Sequence, residues 1–170
     1  MRSRSNVTWF STKVRYQKTM EDGSEKVVTE NYLVDALSFT EAESAITDEM
    51  SVYVSGEFQV SGIAKAAYNE VFFSDVDDDD KWYKAKLQFI TIDEKTEKEK
   101  RSTVNYLVQA KSLARALRYV DEEMGKTMID YDTIGLNETN LMDVFEHQAP
   151  NKEKNDVPEY EQGNAEQPAE

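Results

Sequence analysis

The chain has 170 residues, long enough for one compact domain, with Asp+Glu 34 against Lys+Arg 20 and a net charge of -14. Hydrophobic residues make up 39% and aromatics 11%, so a sizeable core is affordable and global disorder is excluded. With no cysteine and one histidine, His147, the composition excludes disulfides, thiolate or multi-histidine metal sites and cysteine nucleophiles, and leaves a Ser-His-Asp triad without support.

Met1 to Asn6 leads directly into strand-like sequence, so no signal peptide is expected, and no apolar run approaches the ~18 residues of a membrane helix. A cytoplasmic protein that avoids anionic membranes is the expectation.

The chain then aligns with itself at an offset of about 73 to 74 residues. Trp9-Phe10 falls on Trp82-Tyr83, Lys13-Val14 on Lys86-Leu87, and Tyr16 on Phe89. Asn31-Tyr32-Leu33-Val34-Asp35-Ala36 falls on Asn105-Tyr106-Leu107-Val108-Gln109-Ala110, Glu49-Met50 on Glu123-Met124, and Val71-Phe72 on Val144-Phe145. This ordered series reads as a tandem duplication over residues 7–145: repeat one 7–73, linker 74–81, repeat two 82–145.

Within repeat one, Trp9 to Lys18 alternates with period two, placing Phe10, Val14 and Tyr16 on one face and Trp9, Lys13 and Arg15 on the other. Asp22-Gly23 supplies a hairpin turn, and Val27 to Ala36 returns as the second strand. Ser38 with Glu41 makes a capping box for a helix whose buried stripe is Phe39, Ala42, Ile46 and Met50. An extended segment, Glu57 to Phe73, closes the unit, with Gly62 marking a bulge or bend. Repeat two follows the same order. Trp82 starts the hairpin, and Ser102 to Ala110 returns. Ser112 caps a helix with Leu113, Ala116, Leu117, Val120 and Met124 at helical spacing, and Met128 to Phe145 closes it around the turn Asn137 to Asn140. Arg115 replaces the capping-box glutamate.

A β-β-α-β unit of ~65 residues covers one face of its sheet only, so two units are expected to pack as a single pseudo-twofold α+β domain. The linker aspartates, Asp75, Asp77, Asp78, Asp79 and Asp80, are expected to repel one another and stay solvated. They fail the EF-hand template, with no glycine at its sixth position and Lys86 at its twelfth. Residues 146–170, rich in proline, glutamate, asparagine and glutamine, are expected to form a disordered acidic tail carrying Glu146, Glu153, Asp156, Glu159, Glu161, Glu166 and Glu170, with Val157 and Tyr160 as its only anchors.

No phosphate-cradling glycine loop is present, and carboxylate pairs for acid-base work cannot be singled out among so many acids, so no enzyme activity and no cofactor or metal is expected. The informative feature is the strand face opposite the helices. Trp9, Lys13, Arg15 and Asn31 share it in repeat one, and Trp82, Lys84, Lys86, Arg101 and Asn105 in repeat two. Cations hold phosphates, aromatic faces stack bases and asparagine bonds base edges or sugars, a set that suits single-stranded DNA or RNA. The acidic tail would then occupy this face when nucleic acid is absent, or recruit a protein partner. The tryptophans read equally as packing anchors between the repeats. The alternatives to nucleic acid are an acidic interaction factor of phage or mobile-element type acting on a host protein, and a small-ligand domain with its pocket between the repeats.

The N-Y-L-V-x-A element before a serine-capped helix, preceded by a W-[FY] strand, resembles an uncharacterised domain-of-unknown-function family of bacterial and phage proteins. That resemblance implies no activity and no site. Strands followed by one helix, duplicated, are also similar to Whirly and Pur-type folds, which use sheets to bind single strands.

Overall fold

The computed structural model describes residues 1–147. Its elements are β1 (Arg2–Ser5), β2 (Trp9–Thr19), β3 (Glu25–Asp35), α1 (Phe39–Tyr53), β4 (Phe58–Ala66), β5 (Glu70–Phe73), β6 (Lys81–Ile92), β7 (Glu99–Ala110), α2 (Leu113–Gly125), β8 (Asp130–Glu138) and β9 (Leu141–Phe145). The fold is mixed α+β, mostly sheet. Among the described residues no helix is long and apolar enough to cross a membrane.

The order strand, strand, helix, strand, strand occurs twice. Each closing segment is therefore two strands, where the sequence suggested one extended piece. The break between them sends the chain elsewhere: β4 joins the sheet β4-β2-β3-β9, whereas β5 joins β1-β5-β7-β6-β8. Likewise β8 pairs with β6, while β9 crosses to pair in parallel with β3. Each half thus lends its last strand to the other's sheet, β5 lying parallel to β7.

Local chemistry sets the remaining geometry. The β2–β3 hairpin turns at Gly23 with φ +83°, a conformation a side chain resists. Lys13 lies opposite Gly62 and Val14 opposite Val60, so Ser61 is an extra residue bulged from the edge strand. In the other sheet Lys86 lies opposite Gly135 and Leu87 opposite Thr133, which bulges Ile134 at the same place.

Four layers result. Helix α1 packs through Ala42, Ala45, Ile46 and Met50 on Phe10, Val14, Tyr32 and Val34 of its sheet. Helix α2 packs through Ala116, Val120 and Met124 on its own sheet, where Leu87, Tyr83 and Val108 meet it. Between the sheets lies a third core of Trp9, Leu33, Val71, Phe73, Trp82, Leu107 and Val144. The stripe expected on each helix is narrower than its periodicity suggested: Phe39, Leu113 and Leu117 begin it in sequence yet are exposed.

The two helix starts satisfy the same backbone amides with different acceptors. In α1, Ser38 accepts the Glu41 amide at 3.1 Å, and the Glu41 carboxylate accepts the Leu37 amide at 2.7 Å. In α2, Ser112 accepts the Arg115 amide at 3.2 Å, but Arg115 cannot accept in return. Asp79 takes that place from the loop between β5 and β6, accepting the Lys111 amide at 2.9 Å, the Tyr119 hydroxyl at 2.6 Å and Arg115 at 3.3 Å, together with the Ser74 hydroxyl. The expectation of a uniformly solvated aspartate linker is therefore corrected, since Asp79 is buried. Burial alone would push its pKa up, but the donors from Ser74, Tyr119, Arg115 and Lys111 outweigh it and hold the carboxyl below its ordinary value.

Strand β1 had no expected counterpart. Arg4 reaches Asp35 at 3.0 Å and Glu146 at 2.8 Å, Arg2 also bridges to Glu146, and the Arg2 guanidinium lies 4.4 Å from the Phe73 ring centre. Glu146, assigned above to the tail, is instead held by these arginines. The rest of that segment, 148–170, lies outside the described residues.

Asp79→Ala strands Arg115, the Lys111 amide and the Tyr119 hydroxyl together, and should cost about 2–4 kcal/mol in equilibrium unfolding. Because the native pKa is depressed, this contribution is complete above the unfolded carboxylate value of about 3.9 and is lost as pH falls through the native one. The stability gap between wild type and Asp79→Asn should accordingly stay constant from pH 7 to 5 and close in stronger acid; a gap that widens with acid contradicts the assignment.

Candidate nucleic-acid interface

The register places the expected site residues on known faces. Trp9, Ser11, Lys13 and Arg15 alternate along β2, and Trp82, Lys84 and Lys86 along β6, all on the faces the two sheets turn toward each other. At the strand starts that space is filled. Trp9 is 1% and Trp82 2% exposed, and Trp82 meets the Phe73 ring edge-on at 5.5 Å. The expectation of stacking platforms is corrected, since both indoles are core on which the sheets rest, out of reach of a base.

Farther along the same strands the faces are uncovered. Lys13, Arg15, Lys84 and Lys86 are exposed, and none forms an ion pair among the described residues. Their cross-strand neighbours explain why. Lys13 lies between Asn31 and Gly62, Arg15 between Thr29 and Gln59, Lys84 between Leu107 and Asn137, and Lys86 between Asn105 and Gly135. No carboxylate stands directly across from any of them. The rows Asn31-Lys13-Gly62 and Asn105-Lys86-Gly135 are the same triplet in the same place in both sheets. A glycine beside each lysine leaves its stem uncrowded: a Cβ at Gly62 would sit 3.6 Å from Lys13 Cδ and one at Gly135 3.5 Å from Lys86 Cβ.

The two asparagines are half-buried. The Asn105 amide donates to Asn69 Oδ1 at 3.0 Å, and the Asn69 amide donates to the Asn105 carbonyl at 2.8 Å. Asn105 Oδ1 is buried with no hydrogen-bond partner among the described residues. Arg101 does not belong with the unpaired cations. It donates to Asp132 at 2.8 Å and Gln88 at 3.3 Å and pairs with Glu99 at 3.5 Å, and these carboxylates raise its pKa. An incoming phosphate would have to displace them.

The tryptophan end of each hairpin has its own polar lock, which sequence reasoning missed. Asp35 accepts the His147 amide, and at the matching position Gln109 Oε1 accepts the Ser74 amide at 2.9 Å. Each therefore clamps the backbone emerging from the borrowed strand. The signal was the Asp35/Gln109 correspondence, two acceptors inside otherwise apolar runs. On the outer face of the first sheet, Glu30 accepts the Tyr16 and Tyr32 hydroxyls at 2.6 and 2.7 Å. Burial and then the Glu30 carboxylate push Tyr16 up to about 12. An open depression of about 610 Å³ lies at the hairpin end of the first sheet, lined partly by Arg15, Gln17 and Gln59. Among the described residues no group of three or more His, Cys, Asp or Glu is arranged to hold a metal ion.

This geometry can hold extended anions against exposed ammonium and guanidinium groups. It offers no aromatic surface for bases, because among the described residues these uncovered faces carry no exposed aromatic ring.

Trp82→Ala should lower unfolding stability by about 3–5 kcal/mol, with Trp9→Ala similar, read by urea denaturation. A loss below about 1 kcal/mol would place the indoles outside the core.

Comparison with known proteins gives one finding. A family model described as Domain of unknown function (DUF4494) matches residues 8–147. No curated protein and no solved structure matches. The chain belongs to the DUF4494 family.

Proposed function

We propose that this member of the DUF4494 family is a non-enzymatic protein that holds single-stranded nucleic acid by its phosphates. The observation that carries the reading is the twice-repeated Asn-Lys-Gly row, whose lysines stay unpaired among the described residues of a chain with net charge -14. In so acidic a protein, carboxylates are the default neighbours of a surface cation. Their replacement across the strand by Asn, Thr, Gln, Gly and Leu keeps four cations available to an outside anion. Backbone-held binding of this kind is tolerant of sequence and sensitive to salt.

The recurrence of element order, bulge position and lysine row supports an origin by tandem duplication. The division of each closing segment into two strands, β4 with β5 and β8 with β9, supports the likeness to duplicated Whirly and Pur-type folds. The acidic residues of 148–170 are a competing polyanion for the same cations, which makes them a gate on access. Overall negative charge disfavours duplex DNA, where affinity rests on many neutralised phosphates at once.

Fluorescence anisotropy of labelled single-stranded DNA and RNA across a salt series tests this. Binding should weaken with salt, and the double variant Lys13→Ala/Lys86→Ala should reduce the magnitude of the log-log salt slope by about 1.4, at ~0.7 for each phosphate no longer neutralised. Absence of binding to both polymers at low salt would replace this reading by that of an acidic factor acting on another protein.

A further inference from the structure

The two uncovered faces do not form one surface. Their relative direction follows from the crossings that carry the borrowed strands. At the start of β6 the Thr139 amide donates to the Trp82 carbonyl at 2.8 Å, and two residues later Leu141 lies opposite Asn31, which pairs with Lys13. Two residues reach at most about 7 Å, so the Trp82 end of one sheet stands at the Lys13 level of the other. The second crossing has the same form. Ala66 lies opposite Trp9, and three residues later the Asn69 amide donates at 2.8 Å to the carbonyl of Asn105, which pairs with Lys86. Three residues reach at most about 10 Å, so the Trp9 end stands at the Lys86 level.

β2 thus starts where β6 has its lysine row, and β6 starts where β2 has its own, so the two strands run in opposite senses. Lys13 lies about 13 Å beyond Trp9, and Lys86 the same distance beyond Trp82 in the other direction. The turn at Gly23 and the loop between β6 and β7 therefore mark opposite ends of the molecule. Because the sheets face each other, Lys13 and Arg15 look past the start of the second sheet, and Lys86 looks the opposite way past the start of the first.

The direct route from one face to the other is closed. Trp9 and Trp82, 1% and 2% exposed, fill the space between the two rows together with Leu33, Leu107 and the borrowed strands. Each face nevertheless keeps two exposed cations that are in no ion pair among the described residues, Lys13 with Arg15 and Lys84 with Lys86. A short extended polyanion lying along one face cannot reach the cations of the other.

We infer that the chain carries two separate single-strand sites, one on each sheet, and bridges two strands, or two distant segments of one strand, by their phosphates. Bridging rests on the single-strand reading above and adds to it a stoichiometry and an activity, the joining of strands that do not pair with each other.

Oligothymidylate, and separately oligouridylate, of about eight nucleotides, within the ~4–16 that a single-strand site covers, is mixed as donor-labelled and acceptor-labelled populations with the full chain at low salt. Such strands do not pair with themselves, so energy transfer between the labels reports bridging. Transfer should peak near one chain per two strands and fall when protein is in excess, in a complex whose mass by analytical ultracentrifugation is one chain with two strands. Lys13→Ala/Arg15→Ala and Lys84→Ala/Lys86→Ala, all at exposed positions, should each leave one strand bound per chain and abolish the transfer. One strand per wild-type chain without transfer overturns the bridging and leaves the single-strand reading intact. Transfer that survives both variants, or that comes only from complexes of two chains, overturns it as well. Absence of binding to both polymers removes the single-strand reading and the bridging with it.

Discussion

Neither half of this protein can finish its own sheet. β5 leaves the first half to pair in parallel with β7, and β9 leaves the second to pair with β3. That reciprocal loan brings the sheets face to face and forces the residues at the strand starts into a shared interior. Trp9 and Leu33 come from one sheet's own strands, Trp82 and Leu107 from the other's, and Val71, Phe73 and Val144 from the borrowed ones. Asp35 and Gln109 then fasten the chain just after each borrowed strand. Arg2 and Arg4 add a further tie, from an extra edge strand of one sheet to Asp35 and Glu146 of the other.

This constraint also divides each long strand into two regimes. Near the tryptophans both faces are buried, one by a helix and one by the opposing sheet. Just beyond Lys13 and Lys84 the helix-facing side stays covered while the other carries exposed polar and cationic side chains, with Val27 and Ile92 exposed at the hairpin ends. Placing the cations on the uncovered stretch is therefore a consequence of strand length: eleven and twelve residues in β2 and β6 exceed what the shared core covers. The bulges at Ser61 and Ile134 fall opposite this same stretch, next to the glycines that flank the lysines. These faces are thus what the packing leaves over, and among the described residues they carry exposed cations and no exposed aromatic ring.

What could be read in the sequence followed from local rules. The Asp22-Gly23 turn, the Ser38/Glu41 cap, the bulge near Gly62 and the matched order of elements all depend on residues near one another in the chain. The strand exchange does not, because parallel pairing across the halves joins residues far apart and leaves no periodic trace. Period-two alternation told which side chains share a face without telling what covers that face. A better signal was present in the apolar neighbours Trp9-Phe10 and Trp82-Tyr83 and the runs Tyr32-Leu33-Val34 and Tyr106-Leu107-Val108, which mark strands buried on both sides. Asp79 was hidden for another reason. It is one of several similar aspartates, and only the missing acceptor at Arg115 singles it out.

Each half contains one tryptophan, so the shared core can be watched from both sides. Chemical denaturation of Trp9→Phe and Trp82→Phe, followed by fluorescence of the remaining indole and by far-ultraviolet circular dichroism, tests whether the borrowed strands make one cooperative unit. Coincident fluorescence and circular dichroism transitions within each variant are predicted. Two resolved steps, with one half losing its structure while the other's tryptophan stays in a native environment, would contradict the shared core and the placement of the lysine faces that follows from it.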